Sequence, residues 1–311
     1  MSNNIFCILG PTAAGKTALA LELVKQFPFE IISVDSAMIY RDMNIGTAKP
    51  TPEELVLSPH HLIDILDPPQ SFSAAEFCKE THYWCEQIFN AGKIPLLVGG
   101  TMMYFNALQQ GLSELPEANM AVRSELINQA INLGWDKLHN QLATIDPISA
   151  AKIHQHDTQR IQRALEVFYL TGKPLSSFLT EKERSPYSFT NLILFPTERA
   201  WLHQRIAKRF DIMLDLGFLE EVEFLLAKWE LSIDCPALRC VGYRQAYDYF
   251  LGNVDFKQFR EKGIAATRQL AKRQLTWLRH WPAGHVFACD KSESTLKIMA
   301  LISKILDNRQ T

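Results

Sequence analysis

The sequence has almost no net charge: 32 Lys and Arg stand against 34 Asp and Glu, a formal charge of −2. No global field therefore draws the chain to nucleic acid, and any basic surface has to come from local clustering. Its apolar stretches fall well short of the roughly 20 residues that span a bilayer. Its start, MSNNIFCILG, lacks the basic n-region and cleavage site of a secretory signal. A cytoplasmic protein with no membrane part is the expectation. The six cysteines, Cys7, Cys78, Cys85, Cys235, Cys240 and Cys289, form no Cys-x-x-Cys pair, and no histidines stand at zinc spacing beside them. They read as small buried hydrophobes of a reduced protein, and no zinc is expected. There is no internal repeat, low-complexity segment or flexible tail, which excludes an array or a disordered arm.

What is present is material for a core. With 47% hydrophobic residues, 311 residues can form one large domain or two modest ones. Ile5 to Leu9 is a short buried-strand pattern, and Ala18, Leu19, Leu21, Leu23 and Val24 support a helix from Lys16 that stops before Pro28. Glu30 to Val34 is a second strand. Ser73 with Glu76 three residues on makes a capping box for a helix to Asn90, and Ile94 to Gly100 is a third strand broken at a glycine pair. Strand and helix alternating at this spacing predict a parallel α/β sheet.

After Gly111 the pattern turns helical, from Asn119 to Leu179, with breaks at Asp146-Pro147 and Gly172-Lys173-Pro174. Strand character resumes at Asn191 to Phe195, followed by long helices over about 197–229 and 255–279. The expected organisation is a P-loop NTPase-like parallel sheet core flanked by helices, with an inserted all-helical domain: residues 1–115 form the first part of the core, 116–188 the insertion and 189–311 the second part.

Gly10, Pro11, Thr12, Ala13, Ala14, Gly15, Lys16 and Thr17 match G-x-x-x-x-G-K-[ST] between a strand and a helix, the context that motif requires. Backbone N–H groups from Ala13 to Thr17 would converge on phosphate oxygens at the positive end of the helix. Lys16 would add a point charge, and Thr17 a hydroxyl ligand for Mg²⁺. The motif alone predicts an ATP or GTP enzyme. There is no Asn-Lys-x-Asp guanine motif, however, and the apolar strand ending in aspartate, Ile31 to Asp35, directly follows the first helix. In small-molecule kinases an aspartate there faces the acceptor. On local sequence Asp35 is either such a group or the cap of a turn.

Six blocks then occur in order: GPTAAGKT, DSAMIYRDMNIGTAKP, HHLIDILDPPQSFSAAEF, GGTMMYFNALQQGL, DPISAAKIHQHDTQRIQRALEVFYLTGKP and RCVGYRQ. Together they resemble the bacterial tRNA dimethylallyltransferase family over nearly the whole chain, from residue 5 to about 279. The resemblance implies transfer of a dimethylallyl group from dimethylallyl diphosphate to N6 of adenosine 37, immediately 3′ of the anticodon in tRNA. The products would be N6-isopentenyladenosine and diphosphate. It further implies that Thr12 to Thr17 bind the donor diphosphate and that Asp35 accepts a hydrogen bond from the adenine amine. Ser36, Ala37 and Met38 would line the tRNA contact, Met38 standing where the family often has glutamine. Thr101 would lie near the reacting centre and Arg123 would touch tRNA. Gln159, Arg160, Ile161, Gln162 and Arg163, and likewise Cys240, Val241, Gly242, Tyr243, Arg244 and Gln245, resemble the family's tRNA-contacting segments. Eukaryotic members carry a C-terminal zinc finger, which this chain lacks.

The chemistry asked of such a site is consistent with these residues. A diphosphate leaving group has to be stabilised, which Lys16, loop amides, Mg²⁺ and an arginine can do; Arg205 and Arg209, spaced i, i+4, are candidates, with Arg209 favoured. A stacked adenine must be extruded before it can react, which gives a helical insertion a purpose as a clamp. Between Arg260 and Arg279 the chain has Arg260, Lys262, Arg268, Lys272, Arg273 and Arg279 against Glu261 alone, and Arg268, Lys272 and Arg279, near one helical face, would track phosphates unless the run is only a solvated face. His60 and His61 read as structural histidines. A small-molecule or nucleotide kinase and an RNA-binding ATPase module are the competing classes. A monomer is expected.

Overall fold

A computed structural model describes residues 3–179, 185–233 and 235–308. Residues 180–184 of the expected insertion, and the terminal residues of the two expected core parts, lie outside them. The chain divides into two compact units, one running up to Gln109 and resuming at Pro186, the other spanning Gln110–Ser185.

The first unit is built on a sheet of six parallel strands in the order β3-β2-β4-β1-β5-β6. They are β1 (Asn4–Leu9), β2 (Phe29–Val34), β3 (His60–His61), β4 (Ile94–Gly99), β5 (Ser188–Phe195) and β6 (His285–Ala288). All six residues of β1 are buried, as a strand covered on both faces requires. The register is what matters for function. Leu9 pairs with Gly99, and Gly99 pairs with Val34, so the carboxyl ends of β1, β4 and β2 stop level with one another. The segments that follow, Gly10 to Thr17, Gly100-Thr101 and Asp35 to Met38, therefore emerge side by side at the edge where open α/β sheets bind ligands. Gly99 is glycine because a Cβ there would lie 2.0 Å from the Val34 carbonyl oxygen.

Helices cover the sheet. Lys16–Gln26 follows the phosphate loop and ends at Phe27, before Pro28. Ala74–Asn90 starts on the capping box of Ser73 and Glu76. The long helical stretch expected over 197–229 is two helices, Arg199–Asp215 and Phe218–Trp229, separated at Gly217, whose φ of +94° ends the first. Tyr243–Phe250 and the basic helix Phe256–Arg279 follow. The helices Met102–Gln110 and Ser294–Asp307, and strand β6, escape sequence reading. In β6, at the sheet edge, His285 and Val286 are exposed, and its short run Val286 to Ala288 carries no alternation that would mark a strand. The two histidines form the short edge strand β3, where His61 shares a 2.5 Å hydrogen bond with Glu30 Oε1 and stacks on Trp84. No helix among the described residues is long and apolar enough to cross a membrane.

The second unit is helical: Met120–Leu133, Trp135–Ile145, Thr158–Thr171 and two single turns, with no strand among its described residues. Its own core holds Leu126, Leu138, Leu142, Ile161 and Leu165. Asp146, the expected break, accepts the backbone N–H groups of Ser149 and Ser176 and so joins two turns.

Candidate active site

A cavity of about 1020 Å³ opens over the level ends of β1, β4 and β2. The phosphate loop forms one wall. Ala13 and Gly15 take positive φ values of +62° and +93°, which turn successive backbone N–H groups to one side as an anion nest does. Lys16 Nζ donates to the Pro11 carbonyl oxygen at 2.8 Å, folding the lysine over its own loop. Burial pushes its ammonium down to about 8, and Asp35 across the cavity pulls the other way. Arg205 Nε donates to the Ala13 carbonyl oxygen at 2.9 Å, and its guanidinium lies over the Trp201 ring, so this arginine supports the loop. Arg209 lines the same cavity, with Nη2 donating to the Thr47 carbonyl oxygen at 3.4 Å. Burial lowers its pKa while Asp35 raises it. A buried cation facing an enclosed phosphate loop is suited to a multiply charged anion.

Thr17 sits in the first turn of the helix after the loop and lines the cavity. A hydroxyl placed there fits a Mg²⁺ that takes its remaining ligands from phosphate oxygens and water. No group of three or more His, Cys, Asp or Glu suited to a metal ion occurs among the described residues.

Asp35 forms the facing wall. Its Oδ1 accepts the N–H groups of Ala37 at 2.9 Å and Met38 at 3.3 Å, which caps the turn after β2. Oδ2 accepts no hydrogen bond among the described residues. The two readings of this aspartate are therefore compatible, one for each oxygen. Thr101 is beside it: its N–H donates to the Val34 carbonyl oxygen and its Oγ1 accepts the Ser36 N–H at 3.1 Å. Ser36 is exposed, Ala37 and Met38 are half-buried, and Met38 Sδ accepts a weak hydrogen bond from Ser33 at 3.9 Å.

The segment from Cys240 to Gln245 divides. Cys240, Val241, Gly242 and Tyr243 line the cavity, and Gly242 takes φ +94°. Tyr243 is 1% exposed and its hydroxyl donates to Glu221 Oε1 at 2.6 Å, so its side chain offers no surface to RNA. Arg244 Nη1 donates to the Ile233 carbonyl oxygen, and Gln245 Oε1 accepts the Gly242 N–H. Glu221 also accepts the N–H groups of Asn44, Ile45 and Gly46, fastening the loop that carries Thr47.

On the basic helix Lys272 is exposed and Arg268 half-buried, its Nε without a partner among the described residues. Arg260 is spent on a two-pronged pair with Asp211, and Arg279 lies over the Phe195 ring. Arg273 and Trp277, both exposed, reach the cavity. So does Gln274, which sequence reasoning missed. Its Oε1 accepts the Thr12 N–H at 2.9 Å, so the Thr12 hydroxyl, and not its N–H, is left to donate to a ligand.

In the helical unit, the carboxylate of Glu166 is fully buried. It accepts the Asn119 N–H, Arg123 Nε at 2.9 Å and Nη2 at 3.2 Å, and Arg163 Nη1 at 2.7 Å. Arg123 and Arg163 thus stand as a pair on one buried anion. Gln162 Nε2 donates to the Arg123 carbonyl oxygen, and Gln159 and Arg160 are exposed. Ile161 is fully buried in the helical core and packs rather than contacting RNA.

Residues 38–281 match the family described as IPP transferase, and residues 3–62 that described as isopentenyl transferase. The tRNA dimethylallyltransferase of Legionella pneumophila (strain Corby) is 60% identical over 309 residues, covering 99% of each chain. That of Burkholderia multivorans (strain ATCC 17616 / 249) is 51% identical, over 98% of this chain and 95% of its own. The crystal structure of the tRNA isopentenylpyrophosphate transferase of Bacillus halodurans is similar at a TM-score of 0.71, with 36% identity, over 99% of this chain and 98% of that one. A eukaryotic dimethylallyltransferase crystallised acting on tRNA is similar at 0.84, with 25% identity, over 99% of this chain and 80% of that one. With a parallel sheet that delivers a phosphate loop and an aspartate to one cavity, and with relatives of this identity along its full length, the chain belongs to the IPP transferase family, that of the tRNA dimethylallyltransferases.

Proposed function

We propose that the chain transfers the dimethylallyl group of dimethylallyl diphosphate to N6 of the adenine immediately 3′ of the anticodon in tRNA. The observation that carries this reading is that Lys16 and Arg209 face Asp35 across one cavity, cations on the donor side and a carboxylate with a spare oxygen on the acceptor side. The C–O bond between the prenyl carbon and the diphosphate breaks, and its electron pair leaves with the diphosphate. Lys16, Arg209 and the loop amides stabilise that growing charge. The adenine N6 forms the new C–N bond, gains positive character and passes its proton to Asp35. Mg²⁺, held at Thr17, would supply further neutralisation of the leaving diphosphate. Thr101, through Ser36, keeps the turn bearing Asp35 in place. Lys272 and Arg268 provide phosphate contacts to the anticodon arm, and Arg123, Arg163, Gln159 and Arg160 provide the contacts of the helical unit.

The acceptor assignment is tested with two anticodon stem-loops, one bearing adenine at the target position and one bearing purine, which lacks the exocyclic amine. The adenine stem-loop should accept the prenyl group. The purine stem-loop should bind with similar affinity and accept none; transfer to it would refute N6 as the nucleophile.

A further inference from the structure

We propose that Gln274 is a positioning residue that sets the spacing between the donor and acceptor sides of the cavity. The inference rests on the prenyl-transfer reading. Gln274 lies on the basic helix and is 7% exposed. Its carboxamide makes two buried bonds in opposite senses. Oε1 accepts the N–H of Thr12, at the entrance to the phosphate loop, at 2.9 Å. Nε2 donates to the carbonyl oxygen of Gly100, at the corner after β4, also at 2.9 Å.

Each end continues into one half of the site. Thr12 leads into the cradle that ends in Lys16 and Thr17. Gly100 leads into Thr101, whose hydroxyl accepts the Ser36 N–H next to Asp35. One side chain thus joins the loop that holds the leaving group to the turn that holds the acceptor carboxylate. The fit is close: a Cβ on Gly100 would lie 2.5 Å from Gln274 Nε2, so the corner has room for glycine only while the amide is there. An amide is also the side chain this position asks for. It presents one acceptor and one donor at the same time, whereas a carboxylate presents acceptors alone and a thioether only a weak acceptor.

Reaction rate depends steeply on the separation of reacting atoms, and a misplacement of about 1 Å can cost about 10²-fold. A spacer between the two halves should therefore affect the transfer step more than either binding step. The same helix carries Arg268 and Lys272, so the spacer stands on the element proposed to meet the tRNA.

The test uses the full chain with Gln274→Met, which keeps length and removes both bonds, and Gln274→Glu, which keeps one. Single-turnover transfer, the affinities for tRNA and for dimethylallyl diphosphate, and the thermal midpoint are measured for each. Gln274→Met should lose about tenfold to a hundredfold in rate with both affinities within about threefold of wild type. Gln274→Glu should recover rate, relative to wild type, as pH falls and the introduced carboxyl gains a proton to donate to the Gly100 carbonyl. Should Gln274→Met fail to fold, the pH profile of Gln274→Glu decides, read beside its thermal midpoint at each pH: rate that recovers while the protein is fully folded throughout supports positioning, and rate that only follows the folded fraction overturns it. Folded variants with wild-type rates and profiles, or variants whose loss lies wholly in affinity, overturn the positioning role alone. Wild-type protein that transfers no prenyl group overturns the functional reading and the inference with it.

Discussion

Asp35 Oδ1 accepts the backbone N–H of Ala37 at 2.9 Å, so the carboxylate that faces the cavity also closes the turn it stands on. Asparagine can keep that hydrogen bond while removing the charge and the capacity to take a proton. Asp35→Asn should therefore bind tRNA and donor nearly as wild type does and transfer about 10²-fold or more slowly, the range for a general base. Asp35→Ala should lose both the turn and the rate. Single-turnover rates beside tRNA affinities separate the two effects. An Asp35→Asn rate within about threefold of wild type would assign Asp35 to the turn alone.

Lys16 Nζ rests on the Pro11 carbonyl oxygen at 2.8 Å and would exchange that contact for the donor's phosphates. Because its interaction strengthens as the diphosphate departs, Lys16→Ala should lower kcat by orders of magnitude, with folding intact. Steady-state kinetics with dimethylallyl diphosphate check this. Unchanged turnover would remove the lysine from the donor site.

Lys272 and Arg268, like Lys262 and Arg273 on the same helix, make no ion pair among the described residues, whereas Arg260 is held by Asp211. Substituting either by alanine should weaken tRNA binding and reduce the slope of log K against log salt by about one. Donor affinity should stay put. Binding isotherms across a salt series read this directly, and equal slopes for variants and wild type would make the run a solvated face.

Much of the site was legible because its parts are local. A phosphate loop has to be contiguous, so Gly10 to Thr17 announces itself, and a strand that ends in Asp35 next to it follows from the alternation of strand and helix. What was illegible depends on long-range contact. Gln274 is 262 residues from Thr12, and a glutamine in a basic helix reads as a solvated side chain. Glu221 fastens Asn44 from 177 residues away, with no local pattern to mark it. Motif segments also do not reveal where each side chain points: Tyr243 and Ile161 lie within segments resembling tRNA-contacting ones, yet both are buried. Strand β6 is illegible because it is only four residues long and its apolar residues, Val286 to Ala288, do not alternate with polar ones.

Glu166 shows what a buried anion does in the helical unit. Burial raises its carboxyl pKa, but the hydrogen bonds from Arg123 and Arg163 more than offset this and hold it below its ordinary value. A folded carboxyl with a depressed pKa binds its proton less readily than the unfolded chain does. Its contribution is therefore complete above the ordinary carboxylate range and is lost as pH falls through the folded pKa. Glu166→Gln should cost about 2–4 kcal/mol, less than a wholly buried pair because both arginines keep some contact with water. The variant should also show a weaker fall in thermal midpoint between neutral pH and about pH 4 than wild type does. Thermal melts across that range check both effects, and parallel wild-type and variant curves would show that the cluster carries no such linkage.

The choice of donor separates a prenyltransferase from a kinase, because the phosphate loop by itself would serve a nucleotide equally well. The measurement is single-turnover incubation of the purified chain with unmodified tRNA and either dimethylallyl diphosphate labelled in its prenyl group or ATP labelled at its terminal phosphate. Prenyl label should enter the tRNA, at the adenosine 3′ of the anticodon, with release of diphosphate, and phosphate label should enter nothing. Phosphate label transferred to an acceptor, with no prenyl label in the tRNA, would contradict prenyl transfer and make the chain a kinase.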